Sequence, residues 1–239
     1  MCRISGIASH QVSTESLSLR IQQMNDCQKH GGPDGEGATV HAELGVALGH
    51  RRLALLDLSL AGMQPMLDQS SNYEILFNGE IYNYLEIRLE LIALGYQFNN
   101  QTDTEVILNA YIQWGDLAFK RLNGMFAVAI FDKLKKEIVL ARDIVGIKPL
   151  YYHHSKQGLI FASEVKAFTA SGFKFEEQMD WKIYSPSGIK IKEGKGNVIN
   201  LSDFQEGSFG KANGLEITDG PLAGLHSRVV VVLDENGTI

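Results

Sequence analysis

The feature that most constrains this chain is its first seven residues, Met1-Cys2-Arg3-Ile4-Ser5-Gly6-Ile7. A cysteine directly behind the initiator methionine is small enough to let that methionine be trimmed. Trimming leaves Cys2 with a free α-amino group beside its own thiol. Such an amine titrates near ~8 and can take the proton of an adjacent nucleophile, as N-terminal amines do for threonine nucleophiles. That chemistry needs a terminus held still, and Ile4 and Ile7 read as a short buried strand that would hold it. The other reading of Cys2 is an ordinary cysteine at a frayed end.

The bulk composition narrows the class. A length of 239 residues allows one large domain or two small ones, and 44% hydrophobic residues support a sizeable core. The net charge of −6 carries no basic footprint, so no nucleic-acid partner is expected. The two cysteines are Cys2 and Cys27. With Cys2 as a nucleophile no disulfide forms, which fits a reducing compartment. The start of the chain lacks a basic region followed by an apolar run, and no apolar stretch approaches the roughly 18 residues of a membrane span. A soluble cytoplasmic protein, away from membranes, is expected.

Along the chain, Thr14 to His30 reads as a helix capped by Ser13 or Thr14, with Leu17, Ile21, Met24 and Cys27 on one stripe. On that stripe Cys27 reads as a small core residue. Gly31 to Gly37 reads as a glycine-rich turn. It is no phosphate loop, because the required lysine and serine or threonine do not follow. Val40, Leu44, Val46 and Leu48 suggest a hairpin that turns at Glu43 and Gly45. Arg51 and Arg52 come next, either as surface charge or, in a cleft, with one of them pairing a carboxylate. Gly62 to Met66 reads as a turn.

Tyr73 to Phe77 reads as a strand followed by Asn78-Gly79, which is a hairpin signal or a link to a helix. In the second case the Asn78 amide and the Gly79 N–H can serve one oxyanion. Asn83 is placed to cap a helix from Tyr84 to Leu94 with Leu85, Leu89 and Ile92 on its apolar face. Thr102 or Asp103 caps the next helix, or Asp103 recognises a substrate ammonium group. A short helix over Asp116–Leu122 and strands over Met125–Phe131, Glu137–Ala141, Leu150–His153 and Leu159–Ala162 complete this part. Strands come in hairpins with helices in blocks between them, an α+β pattern.

Six segments together resemble the glutaminase domain of class II glutamine amidotransferases, in the form found in the N-terminal half of glutamine-hydrolysing asparagine synthetases. They are Met1-Cys2, Gly32-Pro33-Asp34, His50-Arg51-Arg52-Leu53, Phe77 to Asn83, Thr102-Asp103-Thr104-Glu105, and Arg142-Asp143 through Gly146 to Tyr151. The resemblance runs from Met1 to about Phe168 and implies the N-terminal-nucleophile αββα four-layer sandwich. It implies Cys2 as the nucleophile on the glutamine side-chain carbonyl, and Asn78 with Gly79 as the oxyanion hole. Arg52 would hold the α-carboxylate, Asp103 with Glu80 the α-ammonium, and backbone from Leu53 to Leu56 would line the pocket. No metal or cofactor is implied. L-glutamine is the ligand, and the further partner is a synthetase subunit or a second copy of the chain. Two departures stand out: Arg3 where the family has a small residue, and Gly31 where it has arginine. Arg3 could crowd the pocket or lower the thiol pKa, and Gly31 could loosen a loop near the site.

The remainder does not continue that resemblance. No Ser-Gly-Gly-x-Asp-Ser pyrophosphate loop is present. Instead Gly196 to Ser202, Phe209-Gly210, Gly220 to Leu225 and Arg228 to Gly237 resemble the later part of a thiol peroxidase, a partial thioredoxin-like tail without a cysteine. The expected organisation is a glutaminase domain over 1–170, a junction over 171–193 and the thiol-peroxidase-like fragment over 194–239. The expected activity is hydrolysis of glutamine to glutamate and ammonia through a Cys2 thioester. The alternative is a truncated or chimeric chain that at most binds glutamine.

Overall fold

The computed structural model describes residues 2–54, 60–173, 179–184 and 190–196. The chain divides into two compact units, Met1–Phe173 and Lys174–Ile239. In the second unit strands β10 (Met179–Tyr184) and β11 (Lys190–Gly196) pair antiparallel. Most of the segments that resemble a thiol peroxidase lie outside the described residues, as does Leu56.

The first unit is built on two antiparallel sheets. One contains β1 (Arg3–Ala8), β2 (Gly35–His41), β3 (Val46–Arg52), β8 (Tyr151–Ser155) and β9 (Gly158–Ala162) in the order β2-β3-β1-β9-β8. The other contains β4 (Met66–Leu67), β5 (Tyr73–Ile81), β6 (Gly124–Asp132) and β7 (Glu137–Arg142) in sequence order. Side chains alternate between the two faces of a strand, and here both faces of β5 and β6 are covered. Leu76, Ala127, Ala129 and Phe131 meet Ile4, Val46, Leu48 and Phe161 of the first sheet. Ile75, Phe77, Val128 and Ile130 meet Ile107, Leu108 and Tyr111 of helix α3 (Asp103–Trp114). Helix α2 (Tyr84–Ala93) packs on α3 through Ile87 and Leu91. On the outer face of the first sheet lies α1 (Thr14–Cys27), beside the short helix α4 (Lys166–Ala170). The layer order is therefore helix, sheet, sheet, helix.

Several local expectations are corrected. The first helix stops at Cys27 and gives way to a 3-10 turn over Lys29–Gly31. Cys27 is only half-buried there, its thiol turned to the Met24 carbonyl at 3.1 Å. Of the two candidate caps, Ser13 accepts the Ser16 N–H. The second half of the glycine-rich run is strand β2, because β3 supplies it with partners from Arg52 back to Val46. Gly115–Arg121 is a 3-10 helix. The Asn83 side chain makes no capping bond; it accepts from the Asn123 N–H and donates to Arg121 O instead. Helix α2 also buries the other face: Leu85, Leu89 and Ile92 are exposed, because Ile87 and Leu91 are the residues turned to α3.

Core and surface positions should therefore respond differently to truncation. Leu76→Ala, between the sheets, should lower unfolding free energy by about 2–5 kcal/mol. Leu89→Ala should change it by less than about 0.5 kcal/mol, despite removing the same side chain from an apolar helical stripe. Urea midpoints of the two variants would check this ordering.

Candidate active site

Three inward-facing strand positions converge at one end of the sandwich. On β1, Ile4 points between the sheets and Ser5 points out to Asn25 of α1, so the alternation carries Cys2 inward and Arg3 outward. On β3, Leu48 points inward, and so does Arg52. Its neighbour Arg51 turns outward to Asn25 O, Asp26 and Glu36. The choice between the two arginines is thus made by strand parity. On β5, Asn78 shares the inward face with Leu76. Cys2, Arg52, Leu53, Asn78, Gly79, Glu80 and Asp103 all line one cleft. The sequence-derived set is brought together in full, apart from Leu56.

The cleft has a cavity of about 120 Å³. A water requires roughly 10–15 Å³, so the cavity has room for a small ligand.

Asn78 and Gly79 lie inside β5 and form neither a turn nor a link to a helix. Asn78 stands opposite Ala127 and Gly79 opposite Phe126. A Cβ at Gly79 would fall 2.2 Å from the Met125 carbonyl oxygen, so this crossing of β5 and β6 excludes any side chain. The Asn78 side chain is 1% exposed, and neither its Oδ1 nor its Nδ2 has a partner. A buried amide without hydrogen bonds carries an uncompensated desolvation cost.

Around it the electrostatics are uneven. The Leu53 N–H donates to Cys2 Sγ at 3.3 Å, and the thiol reaches back to Leu53 O at 3.6 Å. Burial pushes the Cys2 thiol pKa up, against the opposing pull of that N–H and of Arg52. Asp103 accepts the Ile81 N–H at 3.0 Å, yet burial raises its carboxyl to about 6. His50 is fully buried one step below Arg52, and burial lowers its pKa to about 3, so it stays neutral. No histidine lines the cleft among the described residues, which leaves the thiol without a neighbouring imidazole base.

Sequence reasoning missed several lining residues. Gln64, read as part of a turn, accepts the Phe77 N–H at 2.6 Å and donates to Thr104 Oγ1 at 3.3 Å. Lys148 is 2% exposed at the cleft wall. Its backbone is fixed from two sides: its N–H donates to Asp143 Oδ2 at 3.1 Å, and its carbonyl accepts from Arg142 Nε at 2.7 Å. Burial lowers the Lys148 pKa, with Glu80 and Cys2 pulling the other way. The only signal for it was its place in the Arg142 to Tyr151 segment, since a lysine in a turn reads as exposed. Among the described residues no group of three or more His, Cys, Asp or Glu side chains is arranged to hold a metal ion. No described helix is long and apolar enough to cross a membrane.

Comparison with known proteins gives concordant results. Residues 1–189 match the family described as the glutamine amidotransferase domain. Asparagine synthetase (glutamine-hydrolyzing) 3 of Bacillus subtilis is 37% identical over 172 residues, covering 71% of this chain and 28% of the relative. Asparagine synthetase (glutamine-hydrolyzing) 1 of the same organism is 43% identical over 169 residues, covering 70% and 26%. The chain thus spans little more than a quarter of these relatives. Among solved structures, glutamine phosphoribosylpyrophosphate amidotransferase from B. subtilis superposes with a TM-score of 0.57 over 72% of this chain and 44% of its own, at 22% identity. That likeness concerns the fold.

The unpartnered state of Asn78 has a measurable consequence. Asn25 is equally buried, but it accepts from Ser5 Oγ and donates to Gly37 O. Asn25→Ala should therefore cost about 1–3 kcal/mol, whereas Asn78→Ala should cost less than about 1 kcal/mol because no hydrogen bond is lost. Denaturant titration of the two variants measures the difference.

Proposed function

Because the chain belongs to the glutamine amidotransferase domain family, we propose that it hydrolyses L-glutamine to glutamate and ammonia through a thioester on Cys2. The observation that carries this reading is the Asn78 amide, buried without a partner in the cleft that holds Cys2. A donor kept unsatisfied in the resting site is available to the charge that develops on a carbonyl oxygen under attack.

In this reading Met1 is removed and the Cys2 amine takes the thiol proton. A thiol whose pKa is raised by burial needs such a base. Sγ attacks the side-chain carbonyl carbon of glutamine, and the resulting oxyanion accepts hydrogen bonds from Asn78 Nδ2 and the Gly79 N–H. The ammonium of Cys2 returns a proton to the leaving nitrogen, ammonia departs, and a γ-glutamyl thioester remains. Water, deprotonated by the same amine, opens the thioester to glutamate and restores the thiol. Arg52 pairs with the α-carboxylate, Asp103 and Glu80 with the α-ammonium, and backbone at Leu53 and Leu56 lines the pocket. The cavity of about 120 Å³ supports a small ligand such as a free amino acid.

The glutaminase part is placed at 1–170, with the junction at 171–193. The thiol-peroxidase-like reading of 194–239 carries no thiol chemistry, since that stretch has no cysteine. Two of the curated relatives are named as glutamine-hydrolysing asparagine synthetases, which supports an amidotransferase context with a synthetase subunit or domain as the user of the ammonia. No pyrophosphate-loop sequence occurs in these 239 residues, so hydrolysis by this chain is expected to need neither ATP nor aspartate.

The deciding experiment is ammonia and glutamate release from glutamine by the purified chain. Cys2→Ala should abolish it and Cys27→Ala should leave it nearly unchanged; the reverse pattern would overturn the assignment. Asn78→Ala should lower kcat by ~10²–10³. A pH series adds an independent check. Asp103, with its pKa at about 6, loses its negative charge as the pH falls. The KM for glutamine should therefore be flat above neutrality and rise below it, approaching about tenfold per pH unit. A KM independent of pH from 8 to about 5 would remove Asp103 from the ammonium site.

A further inference from the structure

Arg3 follows the nucleophile yet does not line the cleft. Its side chain lies on the outer face of the sheet, where Nη1 donates to the carbonyl oxygen of Cys2 at 3.0 Å and Nε to Glu164 Oε1 at 2.5 Å. Glu164 also pairs with His30 Nε2 at 2.9 Å and Lys166 Nζ at 3.1 Å. Burial alone would raise the Glu164 pKa, but its bonds to Arg3 and Lys166 outweigh that and hold it lowered, so the anion at the centre of the cluster persists. Beneath the guanidinium lies Gly31. A Cβ at that position would stand 2.5 Å from Arg3 Cζ and 2.7 Å from Nε, so the seat of this arginine exists only because residue 31 has no side chain.

We propose that Arg3 is a positioning residue for the reaction at Cys2, acting through the Cys2 carbonyl; the inference rests on the reading of Cys2 as nucleophile. The amine and the thiol hang from one Cα. Fixing the peptide plane between Cys2 and Arg3 therefore anchors the Cα from which both groups project, while the Leu53 N–H holds Sγ from the other side. Glu164 is itself anchored, because the preceding residue Ser163 takes the Ile4 N–H on Oγ at 3.0 Å and donates its own N–H to Ile4 O at 2.9 Å. A guanidinium can bridge the anchored carboxylate and the Cys2 carbonyl with a rigid fork, which an ammonium cannot reproduce. Gly31 belongs to the same device. The two departures noted in the sequence, Arg3 and Gly31, are thus one steric pair.

The test uses four proteins in a Cys27→Ala background: the parent, Arg3→Ala, Gly31→Ala and the double variant. Each is assayed for glutamine hydrolysis and for iodoacetamide alkylation of Cys2, read by mass, with melting midpoints to confirm folding. Arg3→Ala should lower kcat roughly 10²-fold with KM within about twofold, because the groups that bind substrate are untouched. Gly31→Ala should lower kcat in the same sense, since its methyl displaces the guanidinium. The double variant should be no worse than Arg3→Ala, as expected for two changes acting on one contact. If Arg3→Ala fails to fold, Arg3→Lys replaces it, keeping the charge opposite Glu164 without the fork. A kcat within about twofold of the parent, or losses from the two single changes that multiply, overturns the inference. If the parent releases no ammonia from glutamine, the proposed function fails, and the alkylation rates decide the role of Arg3. Rates altered alike in both single variants and not compounded in the double support it; rates equal to the parent overturn it.

Discussion

The structure depends on burying the first strand of the chain in the middle of a sheet. Strand β1 pairs with β3 along its whole length and with β9 along Ser5–Ala8. Where β9 ends, Ser163 takes over and captures both the N–H and the carbonyl of Ile4. A terminal strand on a sheet edge would fray. Held on both sides, with Ile4 and Ile7 fully buried, this one gives Cys2 a defined place one residue before the ladder. The sheet order β2-β3-β1-β9-β8 is the means by which a chain terminus becomes a rigid part of a site.

The cleft is costly in the same terms that make the rest stable. Between and beneath the sheets the core is built of apolar clusters. At the cleft end the inward positions carry an arginine, a cysteine and an unpartnered amide, with the carboxyl of Asp103 raised to about 6 beside them. Each would be cheaper as a hydrophobe. Of these groups the Asn78 amide is the one left without a partner; under the proposed function a ligand carrying a carboxylate, an ammonium and a carboxamide would meet Arg52, Asp103 and Asn78 in turn.

The sequence signals fared according to how local their physics is. Strand hairpins and the cap at Thr102 were legible because alternation and capping are local, whereas the convergence of Cys2, Arg52, Asn78 and Asp103 was legible through the family resemblance. The strand read as ending at Phe77 continues through Asn78-Gly79 to Ile81, since the turn propensity of Asn-Gly is a local preference and was overruled by the long partner strand β6, whose carbonyl at Met125 sits where a Gly79 side chain would be. The stripe Leu85, Leu89 and Ile92 was likewise overruled: α2 has little apolar asymmetry, and contact with α3 selects Ile87 and Leu91. Lys148 carried no signal beyond its place in the Arg142 to Tyr151 segment, because burial of a turn lysine is decided by Asp143 and Arg142 holding its backbone.

By itself the sequence determined which residues the proposed chemistry calls on: Cys2 behind Met1, Arg52 and Asp103 for the two ends of an amino acid, and Asn78-Gly79 for an oxyanion. It also determined the strand-rich, hairpin-ordered architecture, because side-chain alternation and turn residues act over a few positions. Only the tertiary structure gave the reason that Arg52 rather than Arg51 enters the cleft, and decided which face of α2 is covered and where Arg3 goes. Those outcomes depend on strand parity, on a partner helix and on the empty space above Gly31. They are set by contacts between residues far apart in the chain, Arg3 with Glu164 and Cys2 with Leu53, which no local pattern encodes.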